Sequence, residues 1–342
     1  MERNHFIDAI KGILILLVII GHCIQYGNGN SYLDQELYYN DYFFRSIYTF
    51  HMPMFMIVSG FLFGYSNKKT IGNVVFSKLK TIGVPFVVFC TIIYYVWWLC
   101  NDLNEFYFCD YFRKMKINMW FLSSVLMNCI IAAIITHMSE KHSSLLFWAL
   151  FFLLFFISDS IISAPHKYMF FFFFVGYYLN RKSCCISMVL KRMKEKYIFF
   201  LLTFLIACIV YWYDDYMFIY KSGFCIIRGG VLNYKILLID ILRYIYALLC
   251  CCWFILFMRL IKHYIQNSFI LLLGNYTLSI YGFQSFFFSL LYEKKCSMCD
   301  FYTFNIMPFV LFVGVLLFSL VSIWLCSNSK VLSMLLLGKY ND

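Results

Sequence analysis

Lys11-Gly12-Ile13-Leu14-Ile15-Leu16-Leu17-Val18-Ile19-Ile20-Gly21-His22 is the stretch on which the reading of this chain turns. It is apolar except for a lysine at its mouth, a histidine at its far part and two glycines. Read as an α-helix, it separates the two ionisable residues by about 16 Å at ~1.5 Å per residue. Eleven steps are close to three turns, so both stand on nearly the same face. An ionisable side chain inside a membrane helix is costly and marks function by default. Histidine is the side chain best suited to moving a proton near neutral pH. His22 is therefore the candidate base, and Lys11 its charged companion.

Composition decides that this helix lies in a membrane. Of 342 residues, 63% are hydrophobic and 13% charged, against roughly 25% charged in soluble domains. Apolar runs of membrane-spanning length, about 17–25 residues, recur along the chain, which makes it an all-α polytopic membrane protein. Aromatic residues reach 22%, with 41 Phe and 28 Tyr, and part of them is expected in interfacial belts. A net charge of +11 would suit a nucleic acid, but its distribution fits membrane orientation and we expect no nucleic-acid partner. The first apolar run ends in Gly21-His22-Cys23-Ile24-Gln25-Tyr26, without a small-x-small cleavage pattern, so it is expected to stay as a helix. The 15 cysteines are scattered, many of them in apolar runs such as Cys250-Cys251-Cys252, where a free thiol behaves as a small hydrophobe. Cys296-x-x-Cys299 lacks the second pair that a zinc site needs, so no metal is expected. That pair is open to a disulfide if its loop lies outside the cytoplasm.

The apolar runs predict about ten transmembrane helices, over 10–26, 42–65, 81–99, 118–137, 145–157, 168–179, 197–213, 236–257, 269–291 and 302–325, within one integral membrane domain over 1–342. Pro53 is expected to kink the second, and Ser59-Gly60 to allow close packing. The segment 214–235 is too broken to span. Asp240 and Arg243, three apart inside the eighth helix, are expected to pair with each other. Ten helices sort the loops into two sets. The set holding the N-terminus, the 65–80, 139–144, 181–196 and 258–268 loops and the tail carries 16 Lys/Arg, against 9 in the other. The positive-inside bias then places both termini in the cytoplasm of an inner-membrane protein. No repeat of the kind that marks inverted transporter halves is visible.

Four stretches carry a resemblance: Asp8-x-x-Lys11-Gly12 through Gly21-His22; Phe50-His51-Met52-Pro53-Met54-Phe55 to Ser59-Gly60; Trp120-Phe121-Leu122; and Leu273-Gly274-Asn275-Tyr276-Thr277-Leu278-Ser279-Ile280-Tyr281. Each is weak alone. In this order, with ten helices, they resemble the acyltransferase-3 integral membrane acyltransferases, most of all the branch described as fucose 4-O-acetylase-like, over nearly the whole chain. The family places a basic residue, ten intervening residues and a histidine in its first helix, here Lys11 and His22. Lys11 stands where relatives often carry arginine and loses the bidentate geometry. Lys78 and Lys80 stand in the basic patch before the third helix, where relatives often carry arginines. Gln284 occupies the neighbourhood of a histidine common in relatives. The resemblance implies transfer of acetyl from acetyl-CoA, a co-substrate rather than a resident cofactor, to a hydroxyl of a surface glycan or its precursor.

O-acyl transfer needs a base for the hydroxyl proton, a stabiliser for the oxyanion and a departing thiol. His22 supplies the first; the competing reading is a packing histidine bonded to a neighbouring helix. Lys11 binds phosphates or carbonyl oxygens of the donor, or else it snorkels and orients the helix. Asp8, one turn earlier, pairs with Lys11 or joins the site. His51 is a second polar site residue or a helix-packing histidine beside Pro53, and Arg45, one to two turns away, is a candidate for the same cavity as His51. Lys78 and Lys80, with Lys68 and Lys69, meet CoA phosphates or serve only topology. Trp120 and Tyr281 shape a sugar or pantetheine slot, or belong to belt and core. The competing function class is a transporter or flippase of glycans or lipids; a variant of the first is the same fold moving another acyl group, such as succinyl.

Overall fold

In lipid every backbone amide must be bonded within the protein, which leaves apolar runs of this length one stable form, the helix. The computed structural model follows that rule. It describes residues 4–27, 39–66, 70–101, 107–138, 141–182, 195–211, 213–262, 265, 268–293 and 307–340. The helices are α1 His5–Gly27, α2 Tyr42–Gly64, α3 Ile71–Lys78, α4 Val84–Cys100, α5 Phe108–Asn118, α6 Trp120–Met138, α7 Ser143–Leu154 and α8 Ala164–Arg181. They continue with α9 Glu195–Tyr211, α10 Ile219–Ser222, α11 Tyr234–Leu260, α12 Ser268–Asn275, α13 Thr277–Glu293, α14 Met307–Ser327 and α15 Lys330–Leu337. A π-helical segment, Leu79–Gly83, joins α3 to α4. The one pair of strands among the described residues, Ile227–Arg228 with Val231–Leu232, is a two-residue hairpin. Six helical stretches are long and apolar enough to cross a membrane, and Ser143–Leu154, Lys196–Tyr211 and Thr277–Leu291 are shorter apolar helices. The protein is an all-α polytopic membrane bundle.

Four details differ from the sequence reading. Part of the 65–80 loop is helical, as α3, and the connection between the expected spans 81–99 and 118–137 carries α5. The tail folds as α15, capped by the Ser329 side chain and ended by Gly338 at φ +63°. The expected span 269–291 is two helices, α12 and α13, parted at Tyr276. The Cys296/Cys299 pair, Lys68 and Lys69 lie outside the described residues.

The chain packs as two compact units: residues 1–44, 76–126 and 266–342, and residues 45–75 and 127–265. In the first, α1 lies against α12, α13 and α14, and α13 against α4. Two glycines let α1 and α12 cross backbone to backbone. A Cβ on Gly12 would stand 2.2 Å from the Ile270 carbonyl oxygen, and one on Gly274 1.9 Å from that of Asp8. Gly12 meets Ile270 while Gly274 meets Asp8, so α12 runs antiparallel to α1. Phe288 of α13 meets His22 and Tyr26, so α13 runs parallel to α1. The chain therefore reverses at Tyr276, and within 269–291 only α13 runs in the direction of α1. Both ends of the described chain come to this reversal: Asp8 through Gly274, and the tail through Lys339, whose Nζ lies 3.4 Å above the Tyr276 ring.

The second unit repeats the device. A Cβ on Gly60 of α2 would stand 1.9 Å from the Phe173 carbonyl oxygen, and one on Gly176 of α8 1.9 Å from that of Ile57. Small residues facing each other in this way allow the close helix approach common in membranes. α2 runs unbroken through Pro53. The segment 213–226, a 3-10 turn Asp215–Met217 and the short α10 joined by irregular backbone, is tied down by buried charge. Arg243, 4% exposed, pairs with Asp240 and donates from Nε to the Met217 carbonyl at 2.9 Å and from Nη2 to the Tyr216 carbonyl at 3.2 Å and to Ser222 Oγ. The expected Asp240–Arg243 pair is present, and it is also a clamp on this segment. Fully buried Lys167 is held by the Ile157 carbonyl and Asp159, each at 2.6 Å. Asp159 in turn accepts from the amides of Phe224 and Cys225 at 3.0 and 3.2 Å.

Candidate active site

The first unit gathers most of the residues singled out from the sequence. α1 fixes two of them by register. Near its start Lys11 Nζ lies 2.8 Å from Asp8 Oδ1, the i, i+3 pair expected of this spacing. Farther along, His22 is half-buried, its ring centroid 5.9 Å from that of Phe288, and Tyr26 stacks on the same phenylalanine at 4.5 Å. His22 Nδ1 lies 2.9 Å from Gln25 Oε1. An amide oxygen only accepts, so Nδ1 carries the proton and donates it to Gln25. That assigns the lone pair to Nε2, which has no hydrogen-bond partner among the described residues. A histidine held in one tautomer by a neighbour, with its other nitrogen open, is the arrangement a general base needs. Sequence reasoning missed Gln25, although its position three residues after His22 was a readable signal.

α13 supplies the opposing wall. Tyr281 is buried, and its ring lies 6.0 Å from that of Phe121, which in turn lies 5.9 Å from Trp120. Trp120 and Tyr281 therefore belong to one aromatic run. Tyr281, Gln284 and Phe288 fall on one face of α13, since their spacings of three and four match the helical period. Gln284 is fully buried, and among the described residues neither of its amide atoms has a hydrogen-bond partner.

The basic patch is at the reversal. The Lys80 carbonyl accepts from Tyr340 Oη at 2.7 Å, and Lys80 Nζ lies 3.9 Å above the Tyr340 ring. Lys78, half-buried, ends α3 just before the π-helical segment. Segments of this kind often occur at functional sites. Lys80 and Lys339 thus approach the end of the unit at which Asp8 holds Lys11. Arg45 and His51 belong to the second unit. Arg45 is buried, its carbonyl accepting from Thr49 Oγ1 at 2.7 Å, and His51 Nδ1 donates to the Ile47 carbonyl at 2.7 Å. Six residues apart, they point about 120° from each other around α2, so the shared cavity expected of them is not supported by their register.

The fold defines a class, a multi-pass helical membrane protein, here with an oriented histidine in its first apolar helix. The comparison with known families gives that class a name. The profile of the acyltransferase-3 family, described as an acyltransferase domain, matches residues 4–328, and the chain belongs to this family. Among curated proteins it is similar to Nodulation protein NolL of Mesorhizobium japonicum, 38% identical over 94 residues, which are 27% of this chain and 24% of that protein. It is also similar to Nodulation protein NolL of Sinorhizobium fredii, 29% identical over 134 residues, 36% of this chain and 34% of that protein. The matches span about a quarter to a third of those relatives. No solved structure matches the chain.

Proposed function

We propose that this protein is a membrane O-acyltransferase that moves acetyl from acetyl-CoA to a hydroxyl of a surface glycan or its precursor. The observation that carries the reading is His22, with Nδ1 committed to Gln25 at 2.9 Å and Nε2 open. In this reading Nε2 takes the acceptor hydroxyl's proton as its oxygen attacks the thioester carbonyl carbon. The tetrahedral intermediate then expels the thiolate, which takes that proton back from the imidazolium. Lys11, steadied by Asp8, and the lysines at the α12–α13 reversal supply positive charge for the phosphates of the donor. The run from Trp120 to Tyr281 supplies aromatic surface for a sugar or a pantetheine arm. Donor supply from the cytoplasm fits termini on the cytoplasmic side of an inner membrane, the side to which the lysine and arginine bias points.

His22→Gln keeps a hydrogen-bonding group of similar reach but cannot take the proton. His22→Ala removes both. Loss of a general base costs about 10²–10⁴-fold in rate. Both variants should insert normally and both should lose acetylation of cell-surface glycans measured by mass spectrometry, with Gln no better than Ala. Retained acetylation in the Gln variant would remove His22 from the base role, and would return the transporter reading to first place if wild-type cells also gain no acetyl mass.

A further inference from the structure

A primary amide sealed in an apolar bundle with no partner is expensive. Unpaired polar burial costs on the order of 1–3 kcal/mol in proteins, and here lipid surrounds the bundle. Gln284 is such a group: 0% exposed, with Nε2 and Oε1 both unpartnered among the described residues. Among the described residues it is the one side-chain amide with both atoms in that state. A packing role does not account for it, because leucine or methionine would fill the same volume without the cost. Its position does. Gln284 lies one turn of α13 from Phe288, about 6 Å along the axis, and the Phe288 ring lies 5.9 Å from that of His22. The same face carries Tyr281, next to Phe121. An acyl carbonyl brought to His22 along this face comes within one helical turn of the amide.

We infer that Gln284 is the oxyanion donor of the acyl transfer, its Nε2–H bonding the carbonyl oxygen as negative charge develops there. This rests on the acyltransferase reading above. The chemistry balances without further reactants: the hydroxyl oxygen bonds to the carbonyl carbon, and the π pair moves onto the oxygen facing Gln284. His22 holds the proton. The pair returns as the carbon–sulfur bond breaks, and thiolate and proton leave together as the thiol. A preorganised donor of this kind acts in the transition state far more than in the ground state.

The test uses the full-length protein in nanodiscs, with acetyl-CoA as donor and glycan extracted from the producing cells as acceptor, and follows thiol release and melting temperature together. Gln284→Met, of similar length and apolar, should melt at or above the wild-type temperature. It should lose 10²–10³-fold in kcat, the range for removal of one oxyanion donor, with KM for acetyl-CoA changed less than threefold. Gln284→Asn, which keeps an amide one methylene shorter, should recover at least tenfold over Met. A Met variant within threefold of wild-type kcat would overturn the inference, as would an Asn variant no better than Met when both are folded. A Met variant that fails to fold would overturn it too, since it would show the amide to be a structural requirement. If Gln284→Met stays active while His22→Ala is dead, only this inference falls. If wild-type protein releases no thiol, the acyltransferase reading falls instead.

Discussion

Gly274→Ala is the smallest change that should damage the first unit. Its new methyl would stand 1.9 Å from the Asp8 carbonyl oxygen and 2.7 Å from the carbonyl carbon. Ordinary contact begins near 3.4 Å, so α1 and α12 would have to part by about 1.5 Å. The obstacle is backbone on a helix, which cannot swing aside as a side-chain tip can. Overpacking of this kind costs about 1–3 kcal/mol, and a backbone clash belongs at the upper end, near 3 kcal/mol. The displaced residue is Asp8, so the 2.8 Å contact with Lys11 should loosen as well. Gly72→Ala serves as the control. No described residue lies within 4 Å of a Cβ there, and in a helix the change should stabilise by up to about 1 kcal/mol. Melting of both variants in nanodiscs should show Gly274→Ala lowered by several degrees and Gly72→Ala unchanged or raised. An unchanged melting temperature for Gly274→Ala would refute the close α1–α12 crossing, and with it the reversal at Tyr276.

Two further outcomes follow from the charged groups. The Asp159 carboxyl sits below the ordinary aspartate range: burial pushes it up, but the Lys167 hydrogen bond and charge and the amides of Phe224 and Cys225 pull it further down. A depressed carboxylate stabilises above its unfolded value near ~4 and loses that contribution as pH falls through the folded value. Melting temperature should therefore be level from pH 7 to about 5 and fall below about 4. Asp159→Asn, which strands the buried Lys167, should cost about 3 kcal/mol at pH 7 and reduce the acid-side slope; an unaltered slope would exclude this carboxylate as its source. If Lys78 and Lys80 hold donor phosphates, changing both to Gln should raise KM for acetyl-CoA with kcat little altered. An unchanged KM in correctly inserted protein would leave them a purely topological role.

What the sequence makes legible here is set by the range over which each feature is determined. Helix existence is local, since an apolar run in lipid has one way to satisfy its backbone, and every expected span contains a helix. His22 and Lys11 stand out for the same reason: a charge or an imidazole in an apolar run contrasts with its immediate neighbours. The reversal at Tyr276 is not legible by hydropathy, because α12 and α13 read as one apolar stretch of spanning length. Gly274-Asn275 was a signal for it, as a glycine or asparagine often closes a helix. The Lys167–Asp159 pair escaped because its partners are held together by a loop, and so did the unpartnered state of Gln284, which is a property of every element packed around it. The glycines carry the most instructive case. Gly12 and Gly274 belong to two separate stretches that carry the family resemblance, and in the structure each meets the backbone of the other's helix, at Ile270 and at Asp8. Packing accounts for their place in the pattern. Under the proposed reading the chemistry assigned to the first stretch then falls to His22 and Lys11, and a variant that spoils Gly12 or Gly274 says nothing about either unless its fold has been measured first.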